Sequence, residues 1–274
     1  MMGCSDLYGN EVKLLDGTGN LIGSDDGSLY THDFLLLVAE GKIPTHSIVH
    51  KFGRNPEVGT TAYEAIWNNG GPYTGFNATS AEPVTIVSTS ALDDFTDTGL
   101  RTIRLYGLDE NYEAQTEDIA LSGTTPVTST LSYIRCDNAK GLTAGTTGEN
   151  QGVIIIAQSV TVANVFAAIP IGYNASMVGA FTVPAGKYGY LLSQSATISN
   201  KQSATASIRI KVRAPGNIFT VNGEAALNST GTGYIERTFS SPGRIPPMTD
   251  LYIEGEASST VAISVFLDIL LVDV

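Results

Sequence analysis

Residues 101–127 read as strand, turn, strand and turn, and the first strand alternates apolar and polar side chains with a period of two. Ile103 and Leu105 share one face of a strand predicted over 101–106, and Thr102 and Arg104 share the other, as in a half-buried strand. A turn over 107–111, a longer strand over 112–121 and a second turn over 122–126 follow, because Gly, Asp, Asn and Pro reverse a chain at low conformational cost. Similar runs predict strands at 84–89, 127–137 and 152–159, and the Gly-, Thr- and Asn-rich stretch 140–151 reads as an exposed loop. A second series is predicted at 177–183, 188–199, 204–214, 218–221, 234–239, 251–256 and 261–274. In the third of these, Ala204, Ala206, Ile208, Ile210 and Val212 face one way, and Thr205, Ser207, Arg209, Lys211 and Arg213 the other. One dry and one cationic face place that strand at an outer sheet surface. The last strand is apolar on both faces near Phe266 and Leu270–Val272, so it is expected to be central or covered by another subunit.

The remaining stretches are less regular. Residues 1–46 carry closely spaced turn signals, Gly9-Asn10, Asp16-Gly17, Gly19-Asn20 and Asp26-Gly27, and read as small hairpins or an arm that orders against a partner. Residues 33–40 form either a short helix ended by Gly41 or a buried strand. Residues 47–82 read as loop-rich, with one helical turn over 63–67 broken by Asn68-Asn69-Gly70-Gly71-Pro72. Short strands between turn clusters, without helical spacers, give an all-β fold. The expected organisation is an irregular N-terminal arm (1–46) preceding two antiparallel β-sandwich or jelly-roll-like units, 47–160 and 161–274.

Composition narrows the function classes. The chain has 274 residues, enough for a full core, yet only 15% are charged, so Thr, Ser, Asn and Gly must supply the polar surface. Its formal charge of −12 repels nucleic acid and anionic membrane, and neither is expected as a partner. Two cysteines, Cys4 and Cys136, are too few for a disulfide framework and read as free thiols. The start, Met-Met-Gly-Cys-Ser, lacks the basic and apolar regions of a secretion signal, and Leu35–Val38 is too short to span a bilayer, so a soluble protein is expected.

Candidate chemistry is sparse. Asp97-Thr98-Gly99 matches the aspartyl protease triplet, but one copy supplies one carboxylate where two must share a proton, and a polar turn precedes it. Asp16–Asn20 resembles a calcium loop but has Leu21 where the sharp-turn Gly belongs and Gly27 where a bidentate Glu belongs. His32, His46 and His50 are the only histidines, and no carboxylate or Cys completes a metal set near them. Asp109, Glu110, Glu113, Glu117 and Asp118 read as a solvated turn and strand edge rather than a glycosidase pair. No cofactor is implied. Trp67, the only tryptophan, is flanked by Phe52, Tyr63, Tyr73 and Phe76. Such a cluster is a satellite core or a contact surface, and Phe52, Trp67, Tyr73 and Phe76 are the candidate interface residues.

Several segments resemble a group of virion structural proteins of tailed double-stranded DNA phages of marine and cyanobacterial type. They are His50-Lys51-Phe52-Gly53-Arg54-Asn55-Pro56, Ile66-Trp67-Asn68-Asn69-Gly70-Gly71-Pro72-Tyr73 and Leu121-Ser122-Gly123-Thr124-Thr125-Pro126-Val127. The similarity continues at Val165-Phe166-Ala167-Ala168-Ile169-Pro170, Gly172-Tyr173-Asn174 and Phe181-Thr182-Val183-Pro184-Ala185-Gly186-Lys187, and ends over 268–274. These are turns and strand ends without catalytic signatures. The resemblance implies an all-β particle component assembled in the host cytoplasm, expected as a homotrimer. It would be a capsid decoration or cement protein bound to the major capsid protein, or a tail or fibre protein contacting host glycan. An enzyme is the third and weakest reading.

Overall fold

The strand Thr205–Arg213 buries Ala206, Ile208 and Ile210 and turns Ser207 and Arg209 the other way, so the alternation read in the sequence is alternation in burial. The computed structural model describes residues 34–199, 203–231 and 233–274. The turns, the calcium-like loop, Cys4 and His32 expected within 1–33 lie outside the described residues. Met1–Pro44 and Thr45–Val274 form separate compact units. In the first, of the two alternatives for the stretch before Gly41 the helix holds, α1 (Phe34–Ala39), closed by Gly41 at φ +70°, where a glycine carries no Cβ penalty.

The larger unit is built of antiparallel strands. In chain order they are β1 (His46–Val58), β2 (Glu64–Ala65), β3 (Glu82–Ser88), β4 (Leu100–Leu108), β5 (Ala114–Ala120), β6 (Val127–Tyr133), β7 (Arg135–Ala144), β8 (Ile154–Gln158) and β9 (Val165–Ile169). Then follow β10 (Ala180–Thr182), β11 (Lys187–Ser199), β12 (Thr205–Arg213), β13 (Thr220–Asn228), β14 (Tyr234–Thr238), β15 (Arg244–Ile245), β16 (Asp250–Ala257) and β17 (Val261–Asp273). The sheets β6-β3-β8-β9 and β5-β4-β7 enclose one core, with Ile86, Ile103, Leu105, Ile156 and Phe166 fully buried. The sheets β1-β17-β11-β14 and β10-β16-β12-β13 enclose a second around Ile263, Val265, Leu267, Ile269 and Leu251. The fold is all-β, two antiparallel sandwiches, as the sequence predicts.

Several local expectations need correction. The 47–82 segment opens with a thirteen-residue strand, β1, paired with β17 from His46↔Val272 to Val58↔Val261. Its inward face carries Lys51, Gly53 and Asn55, all buried, so the hydrophobic alternation that marks a strand is missing. Pro56 sits at the register shift between Asn55 and Val58, where no ladder hydrogen bond is lost. The helical turn expected at 63–67 is instead β2, bonded to β16. The strand expected over 127–137 is two, because the chain crosses at Ile134 from β3's sheet to β4's. The loop expected from 140 begins only after Ala144, since β7 continues along β4.

The cores also do not divide at residue 160. β9 forms a hairpin with β8 and buries Phe166, Ala167 and Ile169 in the first core, while β1 belongs to the second. The chain enters the second sandwich, leaves to build the first, and returns. The last strand is central, between β1 and β11, which is the first of the two alternatives that its apolar faces left.

Candidate functional site

Trp67, Tyr73 and Phe76 follow β2 on a segment that Gly70 and Gly71 reverse, both at positive φ (68° and 64°). Trp67 Nε1 donates to the Gly71 carbonyl at 3.3 Å, which ties the ring to the turn. The Trp67 ring meets Tyr73 edge-on at 5.0 Å, and Tyr73 meets Phe76 edge-on at 4.8 Å. Phe76 continues to Phe219 at 5.7 Å and Tyr252 at 6.0 Å, on the β12–β16 side of the second sandwich. Edge-to-face pairs of this kind stabilise beyond the area they bury. Trp67 is 1% exposed and Phe76 6%, so both are core residues. Tyr73 is half-buried and its hydroxyl donates to Phe166 O at 3.1 Å. Of the four rings read as a satellite core or a contact surface, Phe52 alone stands apart. It lies on β1 against Phe266, ring centroids 4.6 Å apart, and Phe266 is 48% exposed.

A cluster of charges accompanies the aromatic chain between the sandwiches. Arg135 of β7 makes a two-pronged contact with Asp250 of β16, Nε to Oδ1 at 2.9 Å and Nη2 to Oδ2 at 3.0 Å, and both side chains are buried. Its remaining donors reach the carbonyls of Ala78 (3.1 Å) and Ile134 (2.8 Å). Asp250 also accepts from Arg213 of β12 at 2.5 Å and from the Thr182 hydroxyl at 2.7 Å. Arg135 lies 5.4 Å over the Phe76 ring and Arg213 4.4 Å over Phe219. A buried ion pair survives only when the leftover donors and acceptors are matched, and here they are.

Nearby, Lys51 of β1 is buried and donates to the Asp137 carbonyl. Burial lowers the Lys51 ammonium's pKa, against the pull of Asp137. Burial lifts the Asp137 carboxyl up to about 6, opposed by Lys51. Burial also pushes the Cys136 thiol up to about 12, so this free cysteine is a poor nucleophile. The arrangement joins two cores.

The other candidates resolve into structure. The loop holding Asp97-Thr98-Gly99 is organised by Asp93, which is 0% exposed. Its carboxylate accepts from Ser88 Oγ (2.6 Å) and from the backbone N–H groups of Leu100 (3.0 Å), Gln151 (2.8 Å) and Gly152 (2.8 Å). Asp97 caps its own turn through Thr98 N at 2.7 Å. In the acidic cluster, Asp109 accepts from the N–H groups of Asn111 and Glu113. Glu117 accepts from Thr130 and Leu131, and Asp118 pairs with Arg104 at 2.6 Å.

Ser193, Asp268 and His50 do meet on the outer face of the β1-β17-β11 sheet. The carboxylate lies in the middle, Ser193 Oγ to Oδ2 at 2.5 Å and His50 Nδ1 to Oδ1 at 2.7 Å. A hydrolytic triad needs the imidazole between serine and carboxylate, so this order cannot activate Ser193. Partial burial pushes the Asp268 carboxyl up, but the Ser193 and His50 contacts outweigh it and the net shift is downward. Among the described residues no group of three or more His, Cys, Asp and Glu is placed to hold a metal.

Sequence reasoning missed Asp250 and Arg135, though one signal was present. Arg209 and Arg213 are four apart on β12, as Glu254 and Asp250 are on β16, and the register pairs Arg209↔Glu254 and Arg213↔Asp250. A cationic strand face asks for an acidic neighbour at the same spacing.

No protein-family profile and no curated protein match the sequence. Among solved structures, T=1 particles derived from infectious bursal virus align with 9% identity over 84% of this chain and 74% of theirs, with a TM-score of 0.22. Infectious bursal disease virus Gt strain aligns with 8% identity over 84% and 77%, with a TM-score of 0.15. At such scores the alignment carries no argument about this chain.

Proposed function

We propose that this chain is a non-enzymatic structural protein of a viral particle, a cement protein that decorates the head of a tailed double-stranded DNA phage. In this reading it assembles in the host cytoplasm as a homotrimer and docks on the major capsid protein. The observation that carries it is the outer face of the β1-β17-β11 sheet, where Phe266 stands exposed on the central strand β17 against the half-buried Phe52 ring of the edge strand β1. The charged groups of the interior are meanwhile committed to structural contacts. The phage-like segments noted in the sequence support the same reading. A lattice repeats each shallow contact by symmetry, so weak apolar patches suffice for avid binding.

A second reading is a tail or fibre protein contacting glycan. It rests on the hollow beside Phe52 lined by His50, Asn138, Lys140 and Tyr173, which offers ring faces and hydrogen-bonding groups together. Antibody labelling of purified particles under the electron microscope separates the two. Label over the head at a copy number near that of the major capsid protein is expected; label confined to the tail supports the second reading. Absence of label from particles that expose the antigen defeats both. With Phe266→Ser, head occupancy should fall well beyond what the lost Phe52 ring pair, about 0.5–1.5 kcal/mol, costs the isolated chain; occupancy that only tracks the drop in thermal midpoint would count against a docking role.

A further inference from the structure

The second sandwich is open along one side. β13 borders only β12, and β14 and β15 border only β11, so both sheets end there in edge strands among the described residues. Leu191, Val212, Ala225, Ile235 and Ile245 pack against the second core yet stay half-buried, because no described strand covers them. Between the sheets lies a cleft of two lobes, about 120 and 270 Å³, that share Gln194, Ile210, Gly223 and Arg237 as walls. Gly223 keeps the β13 side open: a Cβ there would meet only the Ile210 side chain, at 3.5 Å.

One polar pair interrupts the apolar walls. Gln194 of β11 lies opposite Arg237 of β14, and the next inward pair along the two strands is Ala196 opposite Ile235. The inner face of β14 thus passes from apolar Ile235 to cationic Arg237, while Glu236 alternates to the outer face and accepts from the Tyr234 hydroxyl at 2.6 Å. Arg237 rests over the Phe239 ring at 4.7 Å and pairs with no described carboxylate, and the Gln194 side-chain amide has no hydrogen-bond partner among the described residues. The other charges at the rim are turned away. Arg209 holds Glu254, and Glu224 accepts from Ser207 (2.5 Å) and Tyr63 (3.3 Å), on the outer face of β12 and β13. Arg244 lies over Tyr188 at 4.5 Å on the outer face of β11, out of phase with the inward Ile245. In a chain of net charge −12, the cleft therefore presents one guanidinium and one amide beside an apolar gap.

We propose that this cleft binds a single-chain amphiphile with a carboxylate head, a free fatty acid, its carboxylate on Arg237 and Gln194 and its alkyl chain between the sheets against Ala196, Ile208, Ala225 and Ile235. A guanidinium only donates and stays charged, so it favours an anionic head over a cationic one. The apolar walls add affinity in proportion to the alkyl area removed from water. The larger lobe, about 270 Å³, falls just below the roughly 300 Å³ at which drug-sized sites begin, so one unbranched chain suits it and a two-chain lipid does not. The inference stands whether the protein belongs to a head, a tail or neither.

The test titrates the full chain with decanoate, kept below its micelle concentration, in a calorimeter. Saturable binding with a dissociation constant below about 1 mM is expected, with the negative heat-capacity change that marks burial of the alkyl chain. Arg237→Gln, which removes the charge at an exposed position, should weaken binding more than about tenfold. Gly223→Leu, which fills the gap between the sheets, should abolish it, and circular dichroism checks the fold of both variants. Equal binding of decyltrimethylammonium or of acetate, no saturation, or an unchanged affinity in either folded variant overturns the proposal. Dimers in sedimentation that decanoate does not dissociate assign the open side to a second copy and overturn it as well.

Discussion

Asp137 is the residue whose environment most directly yields a pH dependence. Its carboxyl is lifted from 3.8 to about 6 by burial, against the pull of Lys51. A raised acid favours the neutral form in the fold, so its contribution is fully present below the unfolded value and is lost as pH rises through about 6. Asp94, Asp118 and Glu82, held down by hydrogen bonds, act oppositely, their contributions being lost as pH falls. The comparison with Asp137→Asn isolates the one group. The stability of the native chain relative to the variant should decline from pH 4 to about 6.5 and then flatten; parallel urea midpoints across that window would show that Asp137 is not lifted. No sequence pattern announces this residue, because its position depends on Lys51, which lies 86 positions away. Asp93 makes the same point for the protease-like triplet. The carboxylate that matters is four residues upstream of Asp97, and only the folded loop brings four donors to it.

At the scale of elements, legibility follows which face of a strand is apolar. β12 and β17 were readable because Ile208 and Ile210, or Val265, Leu267 and Ile269, recur at every second position. β1 was not, because its inner face holds Lys51, Gly53 and Asn55. Gly53 explains part of that face: a Cβ there would lie 2.4 Å from Gly179 N and 2.5 Å from Ile66 O. β1 thus packs backbone to backbone against those segments, and no side chain fits between. Gly53→Ala should destabilise by about 1–3 kcal/mol although alanine is no worse a strand residue, with the loss read from urea unfolding; a neutral result would mean that the two segments part without cost. The cationic face of β12 was legible as a face, but its partner was not, since register alone sets Arg213 opposite Asp250.

At the scale of the whole unit, Thr45–Val274, two cores are stitched by the Trp67–Tyr73–Phe76 rings and by Arg135, Asp250 and Arg213. Removing one partner of a buried pair costs about 3–5 kcal/mol because the other is left uncompensated. Arg135→Ala should therefore weaken the union as well as the fold. Trp67 reports the first core by fluorescence, while far-ultraviolet circular dichroism reports both sandwiches. The two signals should coincide in urea for the native chain and separate for the variant; coincident curves in both would mean that the cores are coupled elsewhere. The expected cut at residue 160 fails for a related reason. β9 belongs to the first core by a local hairpin, and β1 joins the second across more than two hundred residues.

Periodicity and turn chemistry by themselves determine that the chain is all-β and that it has two sets of strands, because those properties follow from side-chain alternation and local backbone preference; they leave the last strand as either central or covered by another subunit. Pairing across long sequence distances decides the rest: which core β1 joins, why Trp67 and Phe76 are interior while Phe52 meets Phe266 near solvent, and where the second sandwich stays open. Burial and ion pairing are properties of neighbours in space, and a one-dimensional pattern records a residue's own tendency without naming those neighbours.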